Sequence, residues 1–170
     1  NCKISFLAQC DTVIVNRETR FFDQVLAACA GKRLLLYGHE DASQELLRDG
    51  TELSEEALSM PLGGVIRNMV CDERGSRFEL GYEGKWYAFE SSLVGRFNVE
   101  NLTAAILAAF VMGIRPGTVQ EGIRDIQIPG RMAVMEYGGF HIVVDFAHNY
   151  LSFLNLYHAA ADTFSPRHIR

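Results

Sequence analysis

Two short strand-like runs on either side of a helical pattern constrain the fold of this chain more than any other feature. Thr12–Asn16 and Arg33–Tyr37 are rich in β-branched or aliphatic residues, a composition typical of buried strands. Between them, apolar residues recur at helical spacing across Glu18–Ala30, and Gly31 ends the pattern. A strand, a helix and a strand at this spacing predict a βαβ unit, and therefore an α/β fold with a partial parallel sheet covered by helices.

The middle of the chain changes to short strands separated by turn signals. The three runs are Gly64–Cys71, Ser76–Tyr82 and Lys85–Phe89. This pattern predicts a small antiparallel meander attached to the parallel sheet. The polar and acidic stretch before it, Asp41–Met60, is predicted to form a helix and a loop.

A strong helical pattern and a chain break organise the second half. Asn98 is predicted to cap a helix over Val99–Met112, because asparagine is a favoured N-cap residue. A second helix is predicted over Thr118–Ile126. The tripeptide Ile128-Pro129-Gly130 then interrupts the chain and is the best candidate for a domain boundary.

The break divides the sequence into residues 1–129 and residues 130–170. After it, a hairpin is predicted around Gly138-Gly139, followed by a helix from about Leu151 to Phe164. His168–Arg170 is typical of a further strand that the end of the sequence interrupts.

The composition narrows the class of protein. The 170 residues are 48% hydrophobic and 22% charged, which is typical of a soluble globular chain. A net charge of −5 without a basic run disfavours binding to nucleic acid or to a membrane surface. The longest apolar stretch, Leu102–Met112, is too short to span a bilayer, and no signal peptide opens the sequence. The four cysteines show neither C-x-x-C nor zinc-finger spacing, so we expect reduced thiols and a cytoplasmic protein.

The sequence lacks the common phosphate-binding and nucleophile motifs. Neither of its two Gly-Lys pairs is a P-loop, which requires a glycine five positions before the pair and serine or threonine after it. Gly31-Lys32 has Leu26 and Arg33 at these positions, and Gly84-Lys85 has Glu79 and Trp86. Neither G-x-G-x-x-G nor G-x-S-x-G occurs. We therefore expect that this chain cannot cradle a triphosphate by itself.

Two asparagines at the start of the predicted long helix are the first candidate site residues. Asn98 and Asn101 lie in the run GRFNVENLTAA at residues 95–105, three positions apart on one helix face. An amide offers both a donor and an acceptor, which the edge of adenine requires. A helix cap and a surface amide explain the same pair without a ligand.

The remaining candidates flank the chain break and the next strand. Arg131, in the run IPGRM, could reach a phosphate from a cleft between domains, although a solvated arginine explains it equally well. Asp145, in VVDFAHN, ends a strand where α/β sheets place ligand contacts, and a carboxylate there can accept both ribose hydroxyl groups. His148 could contact the nucleotide or orient the loop. The alternatives are a turn acid for Asp145 and a backbone-bonded loop histidine for His148.

Together, these three motifs resemble those of the Mur ligases and their relatives folylpolyglutamate synthase and cyanophycin synthetase. The family pattern is G-x-(F/H)-N-x-x-N-x-x-A-A, then G-R after a linker, then D-x-A-H near the start of the last domain, and all three occur here in that order. Phe97 and the run Gly130-Arg131-Met132 favour the branch that adds the third amino acid to UDP-N-acetylmuramyl dipeptide. The opening CKISF is similar to a helix of the central domain, so the resemblance covers the whole chain.

The resemblance implies a fold, a reaction and roles for the candidate residues. Residues 1–129 would be the second half of the central ATP-binding domain, and residues 130–170 the start of a Rossmann-like C-terminal domain. The family forms an amide bond from ATP, a UDP-sugar-peptide and an amino acid through an acyl phosphate. Asn98 and Asn101 would serve the adenine end of ATP, Arg131 the γ-phosphate, where it would be catalytic, and Asp145 the ribose, with His148 nearby.

The resemblance also implies what this chain lacks, and the sequence departs from the pattern in places. The P-loop, the Mg²⁺ ligands and a carbamylated lysine would lie upstream, and the selectivity motif downstream, so no metal ligand is expected here. Ala133 stands where the family has glutamate, and Asn149-Tyr150-Leu151 stands where Thr-Pro-Asp is usual. A folylpolyglutamate- or cyanophycin-synthetase-like ligase and a non-catalytic Mur-like subunit therefore remain alternatives.

Overall fold

The computed structural model describes residues 2–7, 9–19, 22–41, 54–164 and 169. The described chain begins with helix α1 (Cys2–Leu7), strand β1 (Thr12–Asn16), helix α2 (Phe22–Ala28) and strand β2 (Arg33–His39). The two strands are parallel neighbours, so the βαβ prediction is confirmed.

Helix α2 is shorter than the predicted Glu18–Ala30. Residues after β1 first form a turn, in which the side-chain oxygen of Asn16 accepts the backbone N–H of Glu18 at 2.9 Å. Asparagine is well suited to such a turn because its side chain competes with helical backbone hydrogen bonding.

The antiparallel meander continues the same sheet. Helix α3 (Glu55–Ser59) is followed by strands β3 (Gly64–Asp72), β4 (Gly75–Tyr82) and β5 (Lys85–Ser91). Strand β3 pairs in parallel with β2, and the pairs β3–β4 and β4–β5 are antiparallel, giving the order β1-β2-β3-β4-β5. The predicted α/β class is confirmed. Of the predicted helix-and-loop stretch Asp41–Met60, residues 42–53 lie outside the described part of the chain.

Helix α4 (Arg96–Val111) packs against the sheet, and helix α5 (Pro116–Arg124) contacts both α4 and β5. Apolar residues from the strands and from these two helices form the main core, and they are Tyr37, Ile66, Phe78, Leu80, Phe89, Leu93, Val99, Leu102, Ile106, Leu107, Val119 and Ile123. A second core contains Val13, Val15, Phe22, Cys29, Leu36 and Ala57. In the part of the chain that the structure describes, no helix is both long and apolar enough to cross a membrane.

The prediction that Asn98 caps helix α4 was wrong. The helix begins at Arg96, and Gly95 is its N-cap with φ 97° and ψ 143°. Gly95 accepts the first helical hydrogen bonds, from the backbone N–H groups of Asn98 and Val99 at 3.0 and 3.3 Å. Glycine adopts this positive φ at little cost, so the helix starts three residues earlier than an asparagine cap at position 98 would allow.

Strands β6 (Ala133–Tyr137) and β7 (Phe140–Val144) form a two-stranded antiparallel sheet of their own. The predicted hairpin around Gly138 and Gly139 is confirmed, and both glycines have positive φ, as a tight turn requires. Helix α6 (Tyr150–Phe164) follows. The strand predicted at His168–Arg170 lies, apart from Ile169, outside the described residues.

Candidate functional site

The two candidate asparagines lie on helix α4 in different environments. Asn98 is only 2% exposed, and its side-chain amide donates a 2.8 Å hydrogen bond to the backbone carbonyl of Val94. Asn101 is exposed. Asn98 therefore ties the first turn of the helix to the preceding loop, whereas Asn101 is open to a ligand.

The turn around Arg131 is held by the segment that follows β7. The Asp145 carboxylate accepts the backbone N–H of Met132 at 2.9 Å, and the Gly130 carbonyl accepts the N–H of Phe146 at 2.7 Å. Met132 has φ 46°, an uncommon conformation for a residue with a side chain, so the Asp145 hydrogen bond stabilises a strained turn. Arg131 itself is exposed.

A small apolar cluster joins this turn to the start of helix α4. Val94, Met132 and Ala159 are buried together, and Phe97, Val143, Leu156 and Phe164 pack against them. Val94 also carries the carbonyl that accepts the Asn98 amide. Asn98 is bonded to Val94, and Asp145 is bonded to Met132, which follows Arg131 in the sequence. The cluster thus links these three predicted site residues to one corner of the molecule.

His148 lies in the loop that leads into helix α6. It is exposed, and its Nδ1 lies 3.0 Å from the Phe146 carbonyl oxygen, to which it donates when that nitrogen carries the proton. Asn149 and Ser152 cap the helix, with the Asn149 side-chain oxygen accepting the Ser152 N–H at 2.9 Å. Asn149, which departs from the family pattern, therefore has a clear local role.

A network of charged side chains lies at the carboxyl ends of β1 and β2, and sequence reasoning missed it. Arg96 donates to Glu18 and to Glu100, both at 3.1 Å, and Glu18 also accepts the backbone N–H of His39 at 2.8 Å. His39 Nε2 lies 3.4 Å from Glu100. The spacing of Arg96 and Glu100 on one helix face was visible in the sequence, but their partners lie far away along the chain.

The same residues have the chemical types that bind metals. Glu18, His39 and Glu100 each offer one ligand atom, and these atoms lie within 4.8 Å of one another. Arg96 already donates to both carboxylates and supplies the positive charge that a cation would bring. The arrangement is therefore an ion-pair network within this chain, and the location of the Mg²⁺ ligands elsewhere stays a prediction.

Tyr37 borders this network. Burial raises the pKa of its phenol well above the usual range, and the negative charges of Glu100 and Glu18 raise it further. The phenol therefore stays neutral and acts as a packing group of the main core.

Comparison with known proteins finds homologues of this chain among the Mur ligases. It is 31% identical over 156 residues to the UDP-N-acetylmuramyl-tripeptide synthetase of Latilactobacillus sakei, and the aligned region covers 89% of this chain and 30% of that protein. It is 37% identical over 83 residues to a UDP-N-acetylmuramoyl-L-alanyl-D-glutamate–2,6-diaminopimelate ligase of Aquifex aeolicus, covering 49% of this chain and 17% of that protein. The chain is a homologue of the Mur ligases. No model of a protein family matches it.

Solved structures with the Mur ligase fold agree with this relationship. A pseudomurein peptide ligase type C from Methanothermus fervidus superposes with a TM-score of 0.71 at 19% identity, covering 93% of this chain and 36% of that one. A UDP-N-acetylmuramoyl-L-alanyl-D-glutamate–2,6-diaminopimelate ligase superposes with a TM-score of 0.65 at 22% identity, covering 95% of this chain and 31% of that one. The chain spans less than a third of the length of the Latilactobacillus sakei and Aquifex aeolicus relatives. The Mur ligase resemblance drawn from the three motifs is confirmed, and the roles of individual residues stay predictions.

Proposed function

We propose that this chain is part of an ATP-dependent ligase that adds the third amino acid to UDP-N-acetylmuramyl dipeptide in peptidoglycan synthesis. The relatives named UDP-N-acetylmuramyl-tripeptide synthetase support the reaction class. The observation that carries the proposal is the common corner to which Asn98, Arg131 and Asp145 are linked. These residues come from three motifs separated along the chain, and the Mur resemblance assigns all of them to ATP.

In the proposed reaction, a carboxylate of the UDP-linked peptide attacks the γ-phosphate of ATP, forming an acyl phosphate and releasing ADP. The amine of the incoming amino acid then attacks the acyl carbon, and phosphate leaves as the amide bond forms. Arg131 is exposed and would neutralise charge on the transferring phosphoryl group. Asn98 and Asn101 would bind adenine, Asp145 would accept the ribose hydroxyl groups, and His148 would orient the nucleotide loop.

Mg²⁺ would neutralise the phosphates of the bound nucleotide, and we place its ligands outside this chain. Within the described residues, the one group of three ligand-type side chains is Glu18, His39 and Glu100, and Arg96 occupies its carboxylates. These residues therefore do not fit the role of a magnesium site.

We propose that residues 1–129 complete the central ATP-binding domain and that residues 130–170 begin a second domain. The hairpin after the break forms its own sheet, and a two-stranded sheet alone is marginal in water. Its apolar side chains Met135, Tyr137, Phe140, Ile142 and Val144 are exposed. Such a surface suits coverage by the remainder of a Rossmann-like domain.

We further propose that the enzyme acts in the cytoplasm and that its product serves cell-wall growth, cell shape and division. Cys10, Cys29 and Cys71 are free thiols, as a reducing compartment would keep them. ATP and UDP-linked precursors are the substrates that such a location would supply.

The test is an assay of the full-length protein with ATP, Mg²⁺, UDP-N-acetylmuramyl dipeptide and a panel of amino acids. The proposal expects phosphate release that requires both the dipeptide and one amino acid, with a tripeptide product seen by mass spectrometry. Turnover only with a folate and glutamate would instead support the folylpolyglutamate alternative. ATP binding without any turnover would support a non-catalytic subunit.

A further inference from the structure

We infer that Arg96 is a positioning residue that fixes the first turn of helix α4, and with it Asn98, against the carboxyl ends of β1 and β2. The inference rests on the proposed function for the role of Asn98. Arg96 would act on nucleotide binding through the helix and would not touch the nucleotide.

The network has the burial and geometry of a structural anchor. The Glu18 side chain is 5% exposed and accepts hydrogen bonds from two groups, Arg96 and the backbone of His39. Arg96 spans the gap by donating through Nη2 to Glu18 and through Nε to Glu100. The planar guanidinium of arginine can hold two carboxylates at once, and the compact ammonium group of lysine does this less well.

Apart from the packing of Val99 in the main core, the residues beside Arg96 do not supply this anchoring. The N-cap, Gly95, has no side chain with which to cap the first turn. The Asn98 amide bonds back to Val94, in the loop immediately before the helix, so it does not connect the helix to the sheet. The ion pair from Arg96 to Glu18 does connect them, as do the 3.5 Å hydrogen bond from the Asn16 amide to Glu100 and the 3.4 Å contact between His39 Nε2 and Glu100.

Removing Arg96 would also leave Glu18 and Glu100 without their shared counter-charge. Glu18 is held on the side of β2, because its Oε1 accepts the backbone N–H of His39 at 2.8 Å and lies close to Gly38. The repulsion between the two carboxylates would push Glu100, and with it the first turn of helix α4, away from Glu18. Small displacements of residues that position a substrate have large effects on binding and rate.

The experiment compares Arg96→Met with Arg67→Met in the full-length enzyme. Arg67 is a matched control, because it is 31% exposed against 28% for Arg96 and pairs with Glu79 at 2.8 Å, away from helix α4. Hydrogen exchange of residues 95–105 reports the helix start without any activity, and steady-state kinetics separate the KM for ATP from kcat. A second variant, Glu100→Gln, keeps the side-chain shape if Arg96→Met does not fold.

We expect faster exchange at the start of helix α4 and a KM for ATP raised about tenfold, with a smaller change in kcat, since residues in one network couple at this level. Arg67→Met should change neither. Faster exchange in a protein that binds no ATP would support the positioning role and overturn the proposed function. Unchanged hydrogen exchange at the start of helix α4 in both Arg96→Met and Glu100→Gln would overturn the inference. Faster exchange there with an unaltered KM for ATP would also overturn it.

Discussion

At the scale of single residues, two asparagines of one sequence motif lie in different environments in the structure. Asn98 and Asn101 form one motif, but Asn98 is buried and bonded to the backbone, whereas Asn101 is exposed. Effects of mutating Asn98 will therefore combine lost stability with lost binding. Asn101 is the cleaner probe of the adenine hypothesis.

Replacing Asn98 with aspartate should lower the free energy of unfolding by about 1–3 kcal/mol, because the Val94 carbonyl loses its donor and a carboxylate is buried. Asn101→Asp is the matched control, and an exposed change of this kind should stay within about 0.5 kcal/mol. Denaturant unfolding of the full-length protein measures both. Equal effects at the two positions would contradict the burial of Asn98.

Replacing Arg131 with alanine should lower kcat by about 10²-fold, the typical loss for one contact to charge that develops in the transition state. Arg131 is exposed and its turn is held by backbone groups and by Asp145, so the variant should keep its thermal stability. Arg115→Ala, an exposed arginine at the start of helix α5, is the control. An unchanged kcat would leave Arg131 as a solvated surface residue.

At the scale of elements, local patterns located the strands well and the helix ends less well. Strand β1 spans Thr12–Asn16 as predicted, because its β-branched run has no competing interpretation. Helix α4 starts early because Gly95 accepts a positive φ. Helix α5 starts at Pro116 rather than Thr118, since proline is favoured in the first turn.

The β4–β5 pairing makes one glycine indispensable. Gly75 has φ 143°, and a Cβ there would lie 2.1 Å from the backbone oxygen of Ser91. We expect Gly75→Ala to destabilise the full-length protein by about 3 kcal/mol or more, since both strain and a backbone clash oppose it.

Gly84 is the matched control for this prediction. It also has a positive φ, 73°, but a Cβ there meets nothing within 4 Å, so Gly84→Ala should cost only about 1 kcal/mol. Thermal unfolding of the two variants gives the comparison. Similar losses in the two would show that strain alone matters and that β4 can move away from Ser91.

At the scale of the whole molecule, the 170-residue chain by itself should not hydrolyse ATP. No P-loop occurs in its sequence, and the described cluster of metal-type ligands is occupied by Arg96. Phosphate release by the purified chain, with Mg²⁺ and without, measures this, and the full-length protein is the positive control. Clean metal-dependent turnover by the isolated chain would contradict the proposed division of the catalytic groups.

Sequence alone determined the α/β class, the meander, the hairpin and the Mur relationship. These follow from short-range periodicity, from turn residues and from motifs whose spacing is a property of the chain itself. It also supplied Asn98, Asn101, Arg131, Asp145 and His148 as candidates, although their roles in binding and catalysis stay predictions.

Only the tertiary structure decided which of these residues are linked and what else surrounds them. The Glu18–Arg96 pair joins residues 78 positions apart, and the Val94, Met132 and Ala159 cluster joins three distant segments. Neither contact has a local signature, because each depends on how the sheet and helices pack. Burial likewise separates Asn98 from Asn101, since the side of the helix that meets the core is chosen by the packing of the whole chain and not by the motif.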